Sequence, residues 1–150
     1  SLADGAPGLV GGQIVDLASE GVDVDHDTLE YIHLHKTGAL LQASVLSGAL
    51  IAGADDQLLE ALRTYSRAIG LAFQIIDDIL DVTASSEVLG KTAGKDLTAD
   101  KTTYPKLLGL EESKARAEAL VKEASGVLKP WSEQAQPLLA LAGYITSRDR

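Results

Sequence analysis

Three carboxylates interrupt an otherwise apolar stretch, Phe73 to Asp81, which reads F-Q-I-I-D-D-I-L-D. Asp77 and Asp81 are four residues apart and share a helix face. Gln74 lies three before Asp77, four before Asp78 and seven before Asp81, so all four polar side chains are expected along one stripe. Ile69, Phe73, Ile76 and Leu80 run beside it. Like charges at such spacing cost roughly a few tenths of a kcal/mol on an exposed helix, and more when partly desolvated, unless a cation offsets the repulsion. A hard divalent ion does so: magnesium takes oxygen ligands, keeps some water and commonly joins one or two carboxylates to phosphate oxygens of a substrate. The plain alternative is a solvated acidic patch at a helix end.

Lys36, Thr37 and Gly38 place a cation, a hydroxyl and a missing side chain inside a mostly apolar run, H-K-T-G-A-L-L. A phosphate would use all three, for point charge, hydrogen bond and close approach; an ordinary exposed helical turn would use none. Lys91, Lys95 and Lys101 fall in L-G-K-T-A-G-K-D-L-T-A-D-K-T-T-Y-P, where Gly90 and Gly94 would let the chain fold over an anion. It is not a Walker A loop, whose spacing and preceding strand are both missing, and a solvated charged loop is the competing reading. Gln13 and Asp16, three apart in V-G-G-Q-I-V-D-L, are better read as a structural hydrogen bond between helices than as part of the site. His33 and His35, two apart, face different directions and lack the i, i+4 spacing of a helical metal pair, so both are read as helix-surface histidines.

Helices must position these groups. Asp27, with Glu30 three residues on, predicts a capped start, and a long core helix should follow from Thr28 to about Ala52 with Ile32, Leu40, Leu41, Val45, Leu46 and Leu50 inward. A second long helix runs from Asp55 or Asp56 to Val82, with Leu58, Leu62, Ile69, Phe73, Ile76 and Leu80 as its apolar stripe. Ser85 to Tyr104 loses periodicity and reads as an ordered, functional loop. Pro105 opens a short helix ending near Gly109. Glu111 to Lys129 is amphipathic, with Ala117, Leu120, Val121 and Val127 inside, and Pro130 closes it. The last helix spans about Ser132 to Thr146, with Pro137 near its first turn.

Composition agrees with an all-α fold. The 150 residues are 45% hydrophobic but only 4% aromatic, mostly Leu, Ala, Ile and Val. A chain this long buries roughly 70% of its extended surface on folding. A net charge of -9 opposes a general nucleic-acid surface. The absence of cysteine excludes disulfides, thiolate nucleophiles and Cys-ligated zinc. No run reaches the roughly 18 apolar residues of a membrane span, and no secretory signal opens the chain, so it reads as soluble.

Taken together, G-L-V-G-G-Q-I-V-D-L, H-K-T-G, F-Q-I-I-D-D-I-L-D and the stretch from Leu89 to Gly109 resemble trans-prenyl diphosphate synthases in order and spacing, over nearly the whole chain. Lys91 to Gly109 looks most like the geranylgeranyl diphosphate synthases of plant plastids and cyanobacteria, with farnesyl and geranyl synthases as near alternatives. The resemblance implies an isoprenoid-synthase-type helical bundle, and makes residues 1–150 the C-terminal part of one domain. Asp77, Asp78 and Asp81 then match the second aspartate-rich motif that holds magnesium on the substrate diphosphate, with Asp77 leading. Lys36, Thr37, Gln74, Lys91 and Lys101 match positions that contact the allylic diphosphate or its metal shell; among them Lys36 and Lys91, with Asp77 and Asp78, are implied to be catalytic.

The implied reaction condenses isopentenyl diphosphate with an allylic diphosphate into a short-chain (C15–C20) product, geranylgeranyl diphosphate first among them. The allylic diphosphate ionises, the isopentenyl double bond attacks the cation, and a proton leaves. A homodimer in the cytoplasm, or in the plastid of a plant, is implied as well. One departure stands out: the earlier D-D-x-x-D or D-D-x-x-x-x-D motif of such enzymes has no counterpart, since Asp23, Asp25 and Asp27 merely alternate. The 150 residues alone are therefore expected to be inactive and their parent active. The competing expectation is a non-catalytic, synthase-like subunit that modulates an active partner.

Overall fold

A computed structural model describes residues 2–89 and 102–148. Within them the chain forms α1 (Leu9–Ala18), α2 (His26–His33), a π-helical turn (Leu34–Gly38), α3 (Ala39–Ile51), α4 (Asp56–Leu89), α5 (Tyr104–Leu108), α6 (Leu110–Val127), a 3₁₀ turn (Lys129–Trp131) and α7 (Gln136–Ser147). No strand occurs among the described residues.

Asp25, not Asp27, caps α2. Its backbone is extended, and its carboxylate accepts the Thr28 N–H at 2.9 Å, a bond that holds the carboxyl below its usual range. Asp27 falls one residue inside the first turn. Asp55 does the same for α4, accepting the Leu58 N–H at 2.8 Å. Pro130 sits in the 3₁₀ turn after α6, and α7 begins at Gln136, later than expected, which puts Pro137 in the first turn where its missing N–H costs nothing.

α4 is the axis of the bundle, packing most extensively along α6 and also against α3, the π turn, α5 and α7. Because neighbours wrap it on several sides, its buried face is wider than the expected stripe. Leu62 and Ile69 are buried as predicted, but so are Tyr65, Ala68, Leu71, Ala72, Ile75 and Ile79 outside the expected stripe, while Phe73, Ile76 and Leu80 are half-buried. On α6, Ala117 and Leu120 are buried, joined by Ala124 rather than Val121.

The single long helix expected from Thr28 to Ala52 is broken by the π turn. A π turn carries one extra residue per ring, so the side chains after it are rotated relative to those before. Two glycine contacts surround it. A Cβ on Gly70 of α4 would stand 3.3 Å from the Gly38 Cα, and a Cβ on Gly12 of α1 would overlap the Lys36 backbone. The turn is thereby pressed between α1 and α4 at backbone distance. Beyond it, α3 has no buried residue, and Leu40 and Leu50 are exposed. The expected core helix packs on α4 by one face only.

Tyr65 ties α4 to α7 by donating its hydroxyl to the Leu138 carbonyl at 2.8 Å, and burial pushes its phenol up to about 12. The protonated form is thus preferred on folding. Its stabilising contribution is complete below the unfolded value near 10 and is lost as pH rises through about 12. Thermal melts followed by circular dichroism should show this alkaline loss, and Tyr65→Phe should reduce it.

Glycine replacements test the packing of the π turn. Gly12→Ala should destabilise the protein by about 1–3 kcal/mol through overpacking. Gly126→Ala on α6, where a Cβ meets nothing within 4 Å, should stabilise it by about 0.5–1 kcal/mol. Denaturant titration of both variants measures the difference.

Candidate functional site

On α4 the three carboxylates do not share one stripe. Successive residues on a helix are turned by about 100°, and the structure uses that rotation to send Asp77 and Asp78 to different partners. Asp78 turns toward α2 and α5. Its Oδ2 lies 3.2 Å from His33 Nε2 and accepts the Tyr104 backbone N–H at 3.0 Å. Its side chain keeps 14% exposure. Asp77 meets a different partner, the Arg148 guanidinium just past the end of α7, which lies 2.6 Å from its Oδ1 and 4.6 Å from the Phe73 ring centre, one helical turn earlier. Asp81 is exposed at the next turn, and Gln74 is half-buried one turn before Asp77 and Asp78.

His33 is a correction to the sequence reading. It is buried, at 5% exposure, and stacks on the Tyr104 ring with centroids 5.7 Å apart and planes 14° from parallel. Its depth comes from α2 packing on α4 and α5, which a spacing rule within one helix does not see. His35 matches expectation: it stacks on Tyr31 near the surface and bonds the Tyr31 carbonyl at 2.8 Å.

Tyr104 is the corner where three elements meet. Its amide binds Asp78, its ring packs between His33 and the edge of His26, and its hydroxyl donates to Glu30 at 3.4 Å. Burial and the Glu30 charge both push its phenol up. Arg67 and Arg116 in turn lie 3.7 and 3.9 Å from Glu30. Next to it, Thr102 accepts the Val24 N–H at 3.3 Å, and the Thr103 hydroxyl is buried without a hydrogen-bond partner among the described residues.

Lys36 points from the π turn to α1, where its ammonium lies 2.5 Å from Asp16. The interhelical bond expected of Asp16 is therefore present, with Lys36 as its donor. Thr37 is half-buried in the same turn. Lys91, Lys95 and Lys101 lie outside the described residues, as do Gly90 and Gly94. The structure thus joins Asp78 to His33 and Tyr104, Asp77 to Arg148, and Lys36 to Asp16. His33, Glu30, Tyr104 and Arg148 were missed by sequence reasoning. Tyr104 follows a threonine pair and Arg148 follows the last helix, and no local periodicity reports a contact spanning 26 or 71 residues.

The family model described as polyprenyl synthetase matches residues 2–136. The chain belongs to this family. It is 57% identical over 147 residues to a chloroplastic geranylgeranyl pyrophosphate synthase of Catharanthus roseus, covering 97% of this chain and 41% of that protein. It is 56% identical to a dimethylallyltranstransferase of Fischerella ambigua, covering 99% and 43%. The chain therefore spans about two fifths of the length of these relatives. Among solved structures, an FPP/GFPP synthase of Zymomonas mobilis superposes with a TM-score of 0.81 at 36% identity, over 96% of this chain and 47% of that one. A Helicobacter pylori geranyltransferase, complexed with magnesium and isoprenyl diphosphate, gives 0.75 at 31% identity over 98% and 48%. The all-α isoprenyl diphosphate synthase fold expected for this chain is thereby shown, and no helix among the described residues is long and apolar enough to cross a membrane.

Lys36→Ala would remove one cation from beside the Asp16 carboxylate, which is 9% exposed. Breaking a fully buried pair costs about 3–5 kcal/mol; with a third of the Lys36 side chain exposed, about 1–2 kcal/mol is expected. Lys36→Arg should recover part of it, as read by denaturant titration.

Proposed function

We propose that this chain is the C-terminal part of a single prenyl diphosphate synthase domain that condenses isopentenyl diphosphate with an allylic diphosphate into a short-chain product, with geranylgeranyl diphosphate the first expectation. The observation that carries the reading is the aspartate motif on α4, Asp77, Asp78 and Asp81, in a chain with relatives named geranylgeranyl pyrophosphate synthases. Those names favour an enzyme over the non-catalytic subunit.

The donor set fits magnesium. Every candidate ligand is a carboxylate oxygen, and both recorded bonds of Asp78 fall on Oδ2. Among the described residues no three His, Cys, Asp or Glu groups converge as a ready cage, which suits an ion held jointly by one or two carboxylates, water and substrate phosphate. We assign Asp77, with Asp78 and Asp81, to hold magnesium. When bound it supplies Lewis-acid stabilisation of the charge that develops on the leaving diphosphate. The magnesium in the Helicobacter pylori geranyltransferase complex supports the choice of ion.

Lys36, Thr37 and Gln74 are assigned to the allylic diphosphate and its metal shell, Lys36 sharing its charge between Asp16 and a phosphate oxygen. Lys91 and Lys101 are assigned there on the sequence resemblance alone. Fixed cations matter most where water is excluded, because charge on the leaving group is then poorly screened. Half-buried apolar residues beside the aspartates, Phe73, Ile76 and Leu80, would shield the allylic cation from water until the isopentenyl double bond attacks and a proton is lost. No side-chain nucleophile is needed. A homodimer, located in the cytoplasm or in the plastid of a plant, completes the proposal; the chloroplastic naming of plant relatives supports the second location.

Product formation from labelled isopentenyl diphosphate and an allylic diphosphate, with and without magnesium, tests it in the full-length protein. Turnover should require magnesium, and Asp77→Ala should lower it at least ~100-fold. A folded full-length protein with no turnover would sink the enzyme reading.

A further inference from the structure

We propose that His33 is a positioning residue: it fixes the Asp78 carboxylate so that one oxygen, Oδ1, is presented to the metal. The inference rests on the assignment of magnesium to the second aspartate motif and deepens it.

A carboxylate has two oxygens and turns easily about its last torsion, so a ligand carboxylate is pre-organised only if something holds the oxygen that the metal does not use. Both recorded bonds of Asp78 converge on that one oxygen. His33 Nε2 lies 3.2 Å from Oδ2, and the Tyr104 amide donates to the same Oδ2 at 3.0 Å. Neither reaches Oδ1. The imidazole has little freedom to leave, because it is 5% exposed and stacked at 14° on the Tyr104 ring. Tyr104 is itself held from two further sides, by the edge of His26 at 5.4 Å and by Glu30, to which its hydroxyl donates. Packing alone would be satisfied by any flat ring at position 33; only an Nε2–H donor accounts for a polar atom aimed at a carboxylate.

His33→Phe keeps the ring and its stacking but removes the donor. His33→Gln restores a nitrogen near the place of Nε2, whereas His33→Asn is too short to do so. The probe is manganese, titrated into the full-length protein in the presence of inorganic diphosphate and followed by loss of the free-ion electron paramagnetic resonance signal. Orienting partners of metal ligands change affinity by about 10–100-fold, so His33→Phe should weaken manganese binding at least ~10-fold and His33→Gln should restore most of it. Magnesium half-saturation of turnover should shift in parallel, with the KM for isopentenyl diphosphate unchanged.

Asp77→Ala separates the two ideas. If it weakens manganese binding and His33→Phe does not, the positioning role is wrong and the metal assignment stands. If Asp77→Ala also leaves binding unchanged, the metal assignment fails and takes the inference with it. Should circular dichroism show that His33→Phe is unfolded, the Gln and Asn variants decide: Gln binding more tightly than Asn supports the role, and equal binding overturns it.

Discussion

A single carboxylate, Asp78, hydrogen-bonds two other helices of this bundle at once. It belongs to α4, yet its partners are a histidine at the end of α2 and the first amide of α5. An ionised carboxylate with 14% of its side chain exposed loses much of its hydration, and hydrogen bonds to charged groups, worth about 1.5–3 kcal/mol each, offset the loss. The two bonds come from elements separated in sequence by 45 and 26 residues. Tyr104 then extends the connection to Glu30, and Glu30 to Arg67 and Arg116. A network of this kind is stable only when its members are all satisfied, so the geometry at Asp78 constrains the whole corner.

A second constraint is steric. The π turn brings Lys36 and Thr37 between α1 and α4, and it does so because Gly12 and Gly70 lack the side chains that would hold these backbones apart. π turns interrupt the regular helical ladder and occur often at functional sites. Here the turn presents a lysine already engaged with Asp16. The salt bridge gives Lys36 a structural part to play beside the phosphate contact proposed for it, and a charge held in place beforehand need not be ordered when a ligand arrives.

Much of the fold was legible in sequence because helices are specified locally. Asp55, Pro105 and Gly109 mark boundaries close to those observed, and the periodicity of Leu58 to Leu80 makes α4 a helix whatever it packs against. The π turn was not legible, since no residue in L-H-K-T-G excludes an ordinary α-helix. The contact of Gly38 with Gly70, far away in sequence, accompanies the difference. The low burial of α3 escaped for a related reason: Leu40 and Leu50 have the composition of a core helix, but only one face of α3 meets α4.

By itself, the sequence determined the helical class, the order of the helices, and the presence of three carboxylates and a lysine–threonine pair where apolar residues would otherwise stand. These follow from local spacing and from the cost of placing charge on an apolar helix. Only the tertiary structure decided which way each carboxylate faces, that His33 is buried against Asp78 rather than exposed, and that Arg148 reaches Asp77. Those outcomes depend on helix rotation and on contacts between distant segments, and one residue of rotation, about 100°, is enough to give neighbouring aspartates different partners.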